Sequence, residues 1–440
     1  MSYNAYDKYK ESKIKWIGEI PSTWDTIKAK HCFNLSGGYA FKSDDFIEEG
    51  IPLVRIGDIT NGTIDFNNCK RLPSEYATIM KEFLVKPGDI LIALTGATIG
   101  KIGQVPQSNE KILLNQRVGK LSSDASNYYK YILSSDLIKE QIMLIADGSA
   151  QENISNEDIG NFEIFDIDDN TKQQIANYLD KKTAKIDTTI AKNKELIQLL
   201  EEKRVALINQ VVTKGLNPDV PMKDSGVEWI GEIPEHWEIR KFGHMADKIV
   251  VGYVGSIGES YTDESGIPLI KTENIQNGKL NLNKLSYVTK EFHLKNKKSQ
   301  IKSGDILIAR HGESGRSCVV PKSLTIANSL NIVILQSGKD MNGYYYSYLL
   351  NSSLIQEFMQ SIQGGAVQGV VNTEDIAFLK VHVPPKIEQN HIVDFLNQKT
   401  SKIDKTISKI QENINLLDEY KTSLIHHVVT GKIDVRGEEI

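Results

Sequence analysis

Two long segments that share one seven-residue repeat constrain this chain more than any other feature. The first runs from Lys172 to Thr213, contains neither Pro nor Gly, and is followed by Lys214-Gly215, a combination that stops helices. Apolar residues recur at the a and d positions of a heptad, which is typical of a coiled-coil seam and not of a helix on a globular core. The seam residues of this segment are Leu179, Ile186, Ile190, Ile197, Leu200 and Leu207.

The same seam returns 217 residues later in the chain. Its members are Leu396, Ile403, Ile407, Ile414, Leu417 and Leu424. Since each segment lacks a partner for its seam, we expect the two helices to pair with each other, in antiparallel orientation. Arg204 and its counterpart Lys421 stand at a positions, where we expect their stems to pack, their charges to reach solvent and the pair to fix the register.

The repeat extends well beyond the helices, so the chain is a tandem duplication of about 215 residues. Lys15 to Trp24, KWIGEIPSTW, returns as Glu228 to Trp237, EWIGEIPEHW. Gly88 to Ala93, GDILIA, returns unchanged as Gly304 to Ala309. We therefore predict an α+β protein with two similar, mainly-β domains and two long helices, related by a pseudo-two-fold axis. The predicted segments are domain 1 at 1–170, helix 1 at 171–214, domain 2 at 215–386, helix 2 at 387–431 and a tail at 432–440.

Within each half, short apolar runs bounded by Gly, Pro and Asn predict strands. Asn61-Gly62 and Asn277-Gly278 predict tight turns in a curved or barrel-like antiparallel sheet. The predicted strands include Pro52–Ile56, Asp89–Leu94 and Leu113–Leu121, and one helix per half is predicted at Tyr128–Ala146 and Gly343–Gln363.

Composition and charge narrow the class of protein. No apolar run approaches the roughly 18 residues that a membrane span needs, and the first residues lack the apolar stretch of a signal peptide. Cys32, Cys69 and Cys318 are too few and too widely spaced for a disulfide framework or a zinc site. We therefore expect a cytoplasmic protein. The net charge of −5 argues against a free-standing nucleic-acid binder unless one face is locally basic.

Motifs of catalysis are missing from the sequence. Gly96 to Lys101 resembles a phosphate-binding loop but has one residue too few between its glycines, and Ile102 replaces the Ser or Thr that should follow the lysine. Neither a dinucleotide fingerprint nor a metalloprotease or hydrolase motif is present. We expect a non-catalytic chain that binds no cofactor and no metal of its own.

The candidate binding residues lie where the two halves align with each other in sequence but carry different polar side chains. Arg55 to Asp58 aligns with Lys271 to Asn274, and Asn115-Gln116-Arg117 aligns with Asn328-Ser329-Leu330. Arg, Lys, Asn and Gln carry the donors and acceptors that match base edges in the DNA major groove. The alternative is that these are solvated loops that drifted after duplication. The candidates are Lys42, Arg55, Thr95, Thr98, Lys101, Gln116, Arg117 and Gln151 in the first half, and Lys271, Arg310, His311, Arg316 and Gln368 in the second.

The ordered set of motifs, present twice, resembles the specificity subunit of type I restriction-modification enzymes. The marks are the Trp-Ile-Gly-Glu-Ile-Pro-x-x-Trp segment, the Gly-Asp-Ile-Leu turn, the Gly-x-x-Gln…Glu-Asp-Ile stretch and the Lys-x-Ile-Asp-x-x-Ile helices that end in Val-Val-Thr. The resemblance covers nearly the whole chain. It implies that each domain reads half of a split double-stranded DNA target, while the helices set the spacing and dock two methyltransferase subunits. Motor-nuclease subunits join them in this family. S-adenosylmethionine, ATP and Mg²⁺ are then expected on the partner subunits.

Two other classes of function stay open at this point. A stand-alone enzyme with an unrecognised site would show turnover as the pure chain. A structural adaptor that holds two copies of a protein or glycan partner at a fixed spacing would bind them without any response to split DNA sites.

Overall fold

The computed structural model describes residues 4–14, 16–60, 62–146, 153–276, 278–312, 314–362 and 370–438. The chain divides into two compact units. Unit 1 comprises Met1–Asn193 and Glu412–Ile440, and unit 2 comprises Lys194–Gln411. The division passes through both long helices, so that each unit contains one part of each helix. The domains predicted from the sequence had kept the helices separate.

Unit 1 contains fourteen described strands, four short helices and the start of a long helix. The strands are β1 Tyr9–Glu11, β2 Glu19–Pro21, β3 Asp25–Lys28, β4 Asn34–Gly37, β5 Ile51–Val54, β6 Ile59–Thr60, β7 Gly62–Ile64, β8 Lys70–Leu72, β9 Leu84–Val85, β10 Ile90–Ala93, β11 Ile102–Gln104, β12 Ile112–Leu114, β13 Val118–Ser122 and β14 Glu163–Asp166. The helices are α1 Tyr76–Ile79, α2 Ser126–Ser134, α3 Asp136–Ala146, α4 Asn156–Gly160 and the long α5 Asp169–Lys214, which continues into unit 2.

Unit 2 repeats this order of elements with a few additions. Its described strands are β15 Met222–Asp224, β16 Glu232–Pro234, β17 Glu238–Lys241, β18 Ala246–Val251, β19 Tyr261–Thr262, β20 Ile267–Ile270, β21 Ile275–Gln276, β22 Lys279–Leu280, β23 Ser286–Val288, β24 Gln300–Ile301, β25 Ile306–Ala309, β26 Ser317–Val319, β27 Ala327–Ser329, β28 Ile332–Ser337 and β29 Lys380–Val383. The helices are α6 Lys290–Lys295, α7 Gly343–Leu350, α8 Ser353–Ile362, α9 Thr373–Phe378 and the long α10 Lys386–Val429, which ends in unit 1.

The predicted mainly-β domains with two long helices are confirmed, but the sheets are mixed. In unit 1 a six-stranded sheet has the order β4-β13-β10-β11-β7-β6, and a four-stranded sheet has the order β8-β5-β12-β9. Most neighbours are antiparallel, but β7 and β11 run parallel, as do β5 and β12 and, in unit 2, β20 and β27. The prediction of a purely antiparallel sheet was therefore wrong. Apolar faces of these strands form the cores, in which Leu91 and Leu307 are fully buried.

Three predicted elements are each divided in two. The predicted strand Leu113–Leu121 is β12 and β13, separated by a turn at 115–117. The predicted helix Tyr128–Ala146 breaks at Ser135, which has an extended backbone and whose hydroxyl donates to the Ile132 carbonyl at 2.6 Å. The predicted helix Gly343–Gln363 breaks after Leu350, where the Asn351 amide donates to the Ser347 carbonyl at 2.8 Å. Polar side chains that bond the local backbone end a helix in this way.

The helices α5 and α10 are antiparallel within each unit. In unit 2, Arg204 Nε lies 3.5 Å from the Asp404 carboxylate, and Gly215, just after α5, adjoins Glu388 near the start of α10. In unit 1, Lys421 Nζ lies 2.6 Å from Asp187. Arg204 and Lys421 are equivalent positions, as are Asp404 and Asp187, so the same cross-helix ion pair occurs once in each unit. The expectation that these cations reach solvent was wrong, since both side chains are about three-quarters buried and paired.

The predicted seam residues are those that the helices cover. Leu179, Ile186, Ile190, Leu396, Ile414 and Leu424 are buried, and Ile197, Leu200, Leu207, Ile403, Ile407 and Leu417 are half-buried. Within the part of the chain that the structure describes, no helix is both long and apolar enough to cross a membrane.

Each long helix ends against the Trp of one repeated Trp-Ile-Gly-Glu-Ile-Pro-x-x-Trp segment. In unit 2, Gly215 has φ +75°, and Trp237 packs against it while its indole N–H donates to Glu388 at 3.1 Å. In unit 1, Gly431 has φ +71°, and a Cβ there would lie 2.4 Å from Pro21 Cδ and 3.1 Å from Trp24. The left-handed backbone favours glycine at both positions, and at Gly431 the Pro21 ring also lies too close for a larger residue.

A buried histidine distinguishes the core of unit 2 from that of unit 1. His382 stacks on Trp237 with ring centroids 5.4 Å apart, and its Nε2 bonds the Val212 carbonyl at 2.6 Å. Its equivalent in unit 1 is Phe165, packed against Trp24 at 5.6 Å. Burial lowers the pKa of His382 to about 4, with the Val212 hydrogen bond opposing the shift. The neutral ring is therefore the folded form down to this pH.

We expect unit 2 to lose stability as the pH falls from about 6.5 to about 4, because the unfolded chain takes up a proton there that folded His382 refuses. The contribution to the free energy of unfolding should reach about 2–3 kcal/mol at the lower end of this range. His382→Phe should remove this loss and keep the stacking, as Phe165 does in unit 1. Denaturant unfolding at a series of pH values measures this loss of unfolding free energy, and His391→Gln, at an exposed position, serves as the control. Equal losses in wild type and His382→Phe would contradict the assignment.

Candidate nucleic-acid interface

In unit 1, four chain reversals meet at one end of the main sheet. We call these residues, 38–42, 55, 94–101 and 115–117, the first loop edge. Backbone hydrogen bonds hold them together. The Asn115 N–H donates to the Val54 carbonyl at 3.0 Å, the Leu94 N–H to the Arg117 carbonyl at 2.9 Å, and the Gln116 N–H to the Tyr39 carbonyl at 3.1 Å. The reversals therefore form one continuous surface.

Unit 2 has an equivalent surface, which we call the second loop edge and define as residues 252–254, 271, 310–312, 314–316 and 330–331. The Leu330 N–H donates to the Ile270 carbonyl at 2.8 Å, and the Asn331 N–H donates to the Tyr253 carbonyl at 2.7 Å. These bonds show that Leu330-Asn331 corresponds to Asn115-Gln116. The sequence alignment with Asn328-Ser329 was therefore wrong by two positions, and both of those residues are fully buried in β27.

The candidates of the first half lie together on the first loop edge. Lys42, Lys101, Gln116 and Arg117 are exposed, and Thr95 and Thr98 are half-buried around the short turn Gly96–Thr98. The guanidinium of Arg117 makes no hydrogen bond or ion pair with any residue that the structure describes. Lys42, Lys101 and Arg117 thus offer positive charge at this edge of a chain whose net charge is −5.

Arg55 is partly committed to its own turn. Its Nε lies 3.6 Å from a carboxylate oxygen of Asp58, and the same oxygen accepts the Arg55 backbone N–H at 2.8 Å. Burial raises the pKa of Asp58, and the hydrogen bond and charge of Arg55 oppose that shift. In unit 2, Lys271 donates its backbone N–H to Asn274 at 2.8 Å, and its ammonium group lies 5.2 Å from the centre of the Tyr261 ring. The same turn therefore occurs in both units, but a carboxylate closes it in unit 1 and a neutral amide closes it in unit 2.

Arg310 holds the second loop edge together from within. Its Nε donates to the Val371 carbonyl at 3.1 Å, Nη1 to the Asn331 side chain at 2.8 Å and Nη2 to the Asn372 side chain at 3.2 Å. Three of its five N–H donors are therefore used inside the unit. His311 is half-buried and Arg316 is exposed on the same edge.

Two candidates, Gln151 and Gln368, lie outside the described residues. Sequence reasoning missed Tyr39 and Tyr253, which lie at the centre of the two edges. The sequence did contain a signal for them, because a Gly-Tyr pair occurs at equivalent positions of both halves, at 38–39 and 252–253.

Among the described residues, no cluster of His, Cys, Asp and Glu could hold a metal ion. Two basic, loop-rich edges can bind a polyanion and present donors and acceptors to it.

Comparisons with known proteins agree with this arrangement. The family model for the type I restriction modification DNA specificity domain matches residues 21–198 and again 234–416. The type I restriction enzyme EcoBI specificity subunit of Escherichia coli is 23% identical over 98% of this chain and 91% of its own length. The MjaVIII specificity subunit of Methanocaldococcus jannaschii is 30% identical over 33% of this chain and 36% of its own.

Solved structures share the fold. A structure from a study of complex assembly and conformational transition of the type I R-M system superposes with a TM-score of 0.68 at 13% identity, covering 94% of this chain and 99% of that one. The HsdS subunit from Thermoanaerobacter tengcongensis gives a TM-score of 0.54 at 14% identity, covering 94% and 98%.

The contacts of Arg310 predict different outcomes for two arginines on the loop edges. Arg310→Ala should lower the free energy of unfolding by about 1–2 kcal/mol, because the Val371 carbonyl and the Asn331 side chain lose their donor. Arg117→Ala, the matched control, should change it by less than about 0.5 kcal/mol. Equilibrium denaturation of both variants tests this. Equal stability of the two variants would show that the Arg310 contacts contribute nothing.

Proposed function

This chain belongs to the type I restriction-modification DNA specificity family, and we propose that its two loop edges read the two halves of a split double-stranded DNA target. One observation carries this proposal. The backbone frame of the edge is repeated in both units, while the side chains that it presents differ, as in Gln116 against Asn331 and Thr95 against His311. Two readers with one frame and different side chains fit two different half-sequences.

The chain is proposed to contribute recognition and no catalysis. Support comes from the family match in both halves and from the missing catalytic motifs in the sequence. Methyl transfer and, where motor-nuclease subunits join, ATP-driven cleavage would then belong to partner subunits. S-adenosylmethionine, ATP and Mg²⁺ would be bound by those partners.

The paired helices are proposed to set the gap between the half-sites and to dock the methyltransferase. Outside the seam, both helices carry exposed charged residues, among them Lys181 and Lys185 on α5 and Lys402 on α10. Since the helices are duplicated with their domains, two equivalent docking surfaces are expected. Two methyltransferase subunits per chain follow from this.

Recognition by separate edges predicts separable defects. Replacing Gln116 and Arg117 with Ala should relax one half of the target, and replacing His311 and Arg316 with Ala should relax the other half. Loss of a bidentate base contact should cost about 1–3 kcal/mol at the affected base pair. The methylated motif is measured by sequencing modified bases in host DNA that expresses each variant with the methyltransferase.

Arg310→Ala is left out of these variants, since its effect on stability would mix with recognition. If either double replacement relaxed both halves of the target, the two edges would not read separate half-sites. Loss of overall affinity with an unchanged motif would mean that the replaced residues contact phosphates. Binding that ignores the DNA sequence altogether would favour the structural adaptor.

The duplicated docking surface predicts the composition of the complex. Native mass spectrometry of the chain with an excess of its methyltransferase subunit should show two methyltransferases per chain. Labelled S-adenosylmethionine should bind this complex and not the chain alone. A complex that stops at one methyltransferase per chain would contradict the proposal.

A further inference from the structure

Tyr39 occupies the centre of the first loop edge. Its backbone N–H donates to the Leu114 carbonyl at 2.9 Å, and its carbonyl accepts the Gln116 N–H at 3.1 Å. The preceding Gly38 lies so close to the same turn that a Cβ would be 2.2 Å from the Leu114 carbonyl oxygen. Tyr39 is thus held beside Gln116 and Arg117 by a contact that only glycine permits.

Tyr253 occupies the same place on the second loop edge. Its N–H donates to the Ser329 carbonyl at 2.9 Å, and its carbonyl accepts the Asn331 N–H at 2.7 Å. Gly252 before it is also constrained, since a Cβ would lie 2.1 Å from Ser329 Oγ and 2.7 Å from the Ser329 carbonyl oxygen. The Gly-Tyr pair and these two backbone hydrogen bonds are therefore duplicated.

The Tyr39 ring is braced and yet remains accessible. Phe41 and Phe83 contact it with ring centroids 5.1 and 5.4 Å away, and the residue is still 42% exposed. Phe292 braces the half-buried Tyr253 ring in the same manner at 4.9 Å. A flat ring fixed by its neighbours loses little side-chain entropy when a partner packs on its free face.

The neighbours of the two tyrosines vary, whereas the tyrosines do not. On the same loop edges, Arg55 is replaced by Lys271, Thr95 by His311 and Gln116 by Asn331. A residue that reads a base should differ between two half-sites of different sequence. A residue that is the same in both edges is better suited to a part of DNA that every half-site has, whatever its sequence.

We propose that Tyr39 and Tyr253 pack their rings against the deoxyribose-phosphate backbone of each half-site, as contacts that set the position of the duplex without reading its sequence. The inference rests on the proposed function. Sugar and backbone contacts fix the register of a protein on DNA and carry no sequence information, which leaves readout to the varied side chains around each ring.

The test uses the full chain assembled with its methyltransferase and duplexes that carry the methylated motif or single-base changes in it. Tyr39→Ala should weaken binding by about tenfold, the size expected when an anchoring aromatic contact is truncated. The loss should be the same factor for the motif and for every single-base variant of it. Tyr39→Phe should bind as wild type does, because the ring is kept. Tyr253→Ala should show a smaller but equally uniform loss.

Tyr344 supplies a control matched in exposure at 44%, located at the start of α7 beside the Gly304 turn and away from the loop edge. Tyr344→Ala should leave binding unchanged. Unchanged binding by Tyr39→Ala, or a loss confined to certain bases, would overturn the proposal. If Tyr39→Ala unfolds, Tyr39→Leu replaces it, and wild-type affinity of that variant overturns the proposal equally. A wild-type complex that does not prefer its motif would instead overturn the proposed function and this inference together.

Discussion

The pairing of α5 with α10 is the constraint on which the rest of the structure depends. Its apolar seam is interrupted at equivalent a positions by Arg204 and Lys421, and each of these cations meets the equivalent aspartate of the other helix. A charge at an a position costs stability in a coiled coil, but it specifies one register. Because the ion pair occurs once in each unit, each unit specifies the register of its own helix segments.

Helix pairing also determines how each unit is completed. The chain leaves unit 1 through α5 and returns to it through α10, so unit 1 consists of two separate stretches of sequence. In both units a helix ends at a left-handed glycine beneath the tryptophan of the repeated opening segment. The motif that looked like a family signature in the sequence is thus a docking site for a helix end. The loop edges are held at the end of a sheet whose core contacts that helix.

Sequence patterns with a regular period predicted most of the fold, whereas the loop edges were harder to predict. The heptad predicted which helix residues are covered, since a period of seven admits one interface. The turn between β12 and β13 was missed because Leu113 to Leu121 reads as one apolar run, and the alignment of the halves then slipped by two residues. Arg310 was predicted to contact DNA, and three of its five N–H donors bond within the unit, two of them to Val371 and Asn372, which lie about sixty residues away in the sequence. Tyr39 was not among the predicted residues, because its signal, a Gly-Tyr pair that occurs in both halves, is short and belongs to no periodic pattern.

We propose that the register and length of the paired helices determine the gap between the half-sites. The most direct measurement inserts one heptad after Leu200 in α5 and one after Ile407 in α10, positions that face each other in the register of Arg204 with Asp404. Both insertions together lengthen the pair by about 10 Å, or up to about three base pairs of duplex, while an insertion in one helix alone breaks the pairing and serves as control. If the helices determine the gap, the methylated motif keeps the same two half-sequences and gains a longer gap. A motif that keeps its original gap would contradict the proposal.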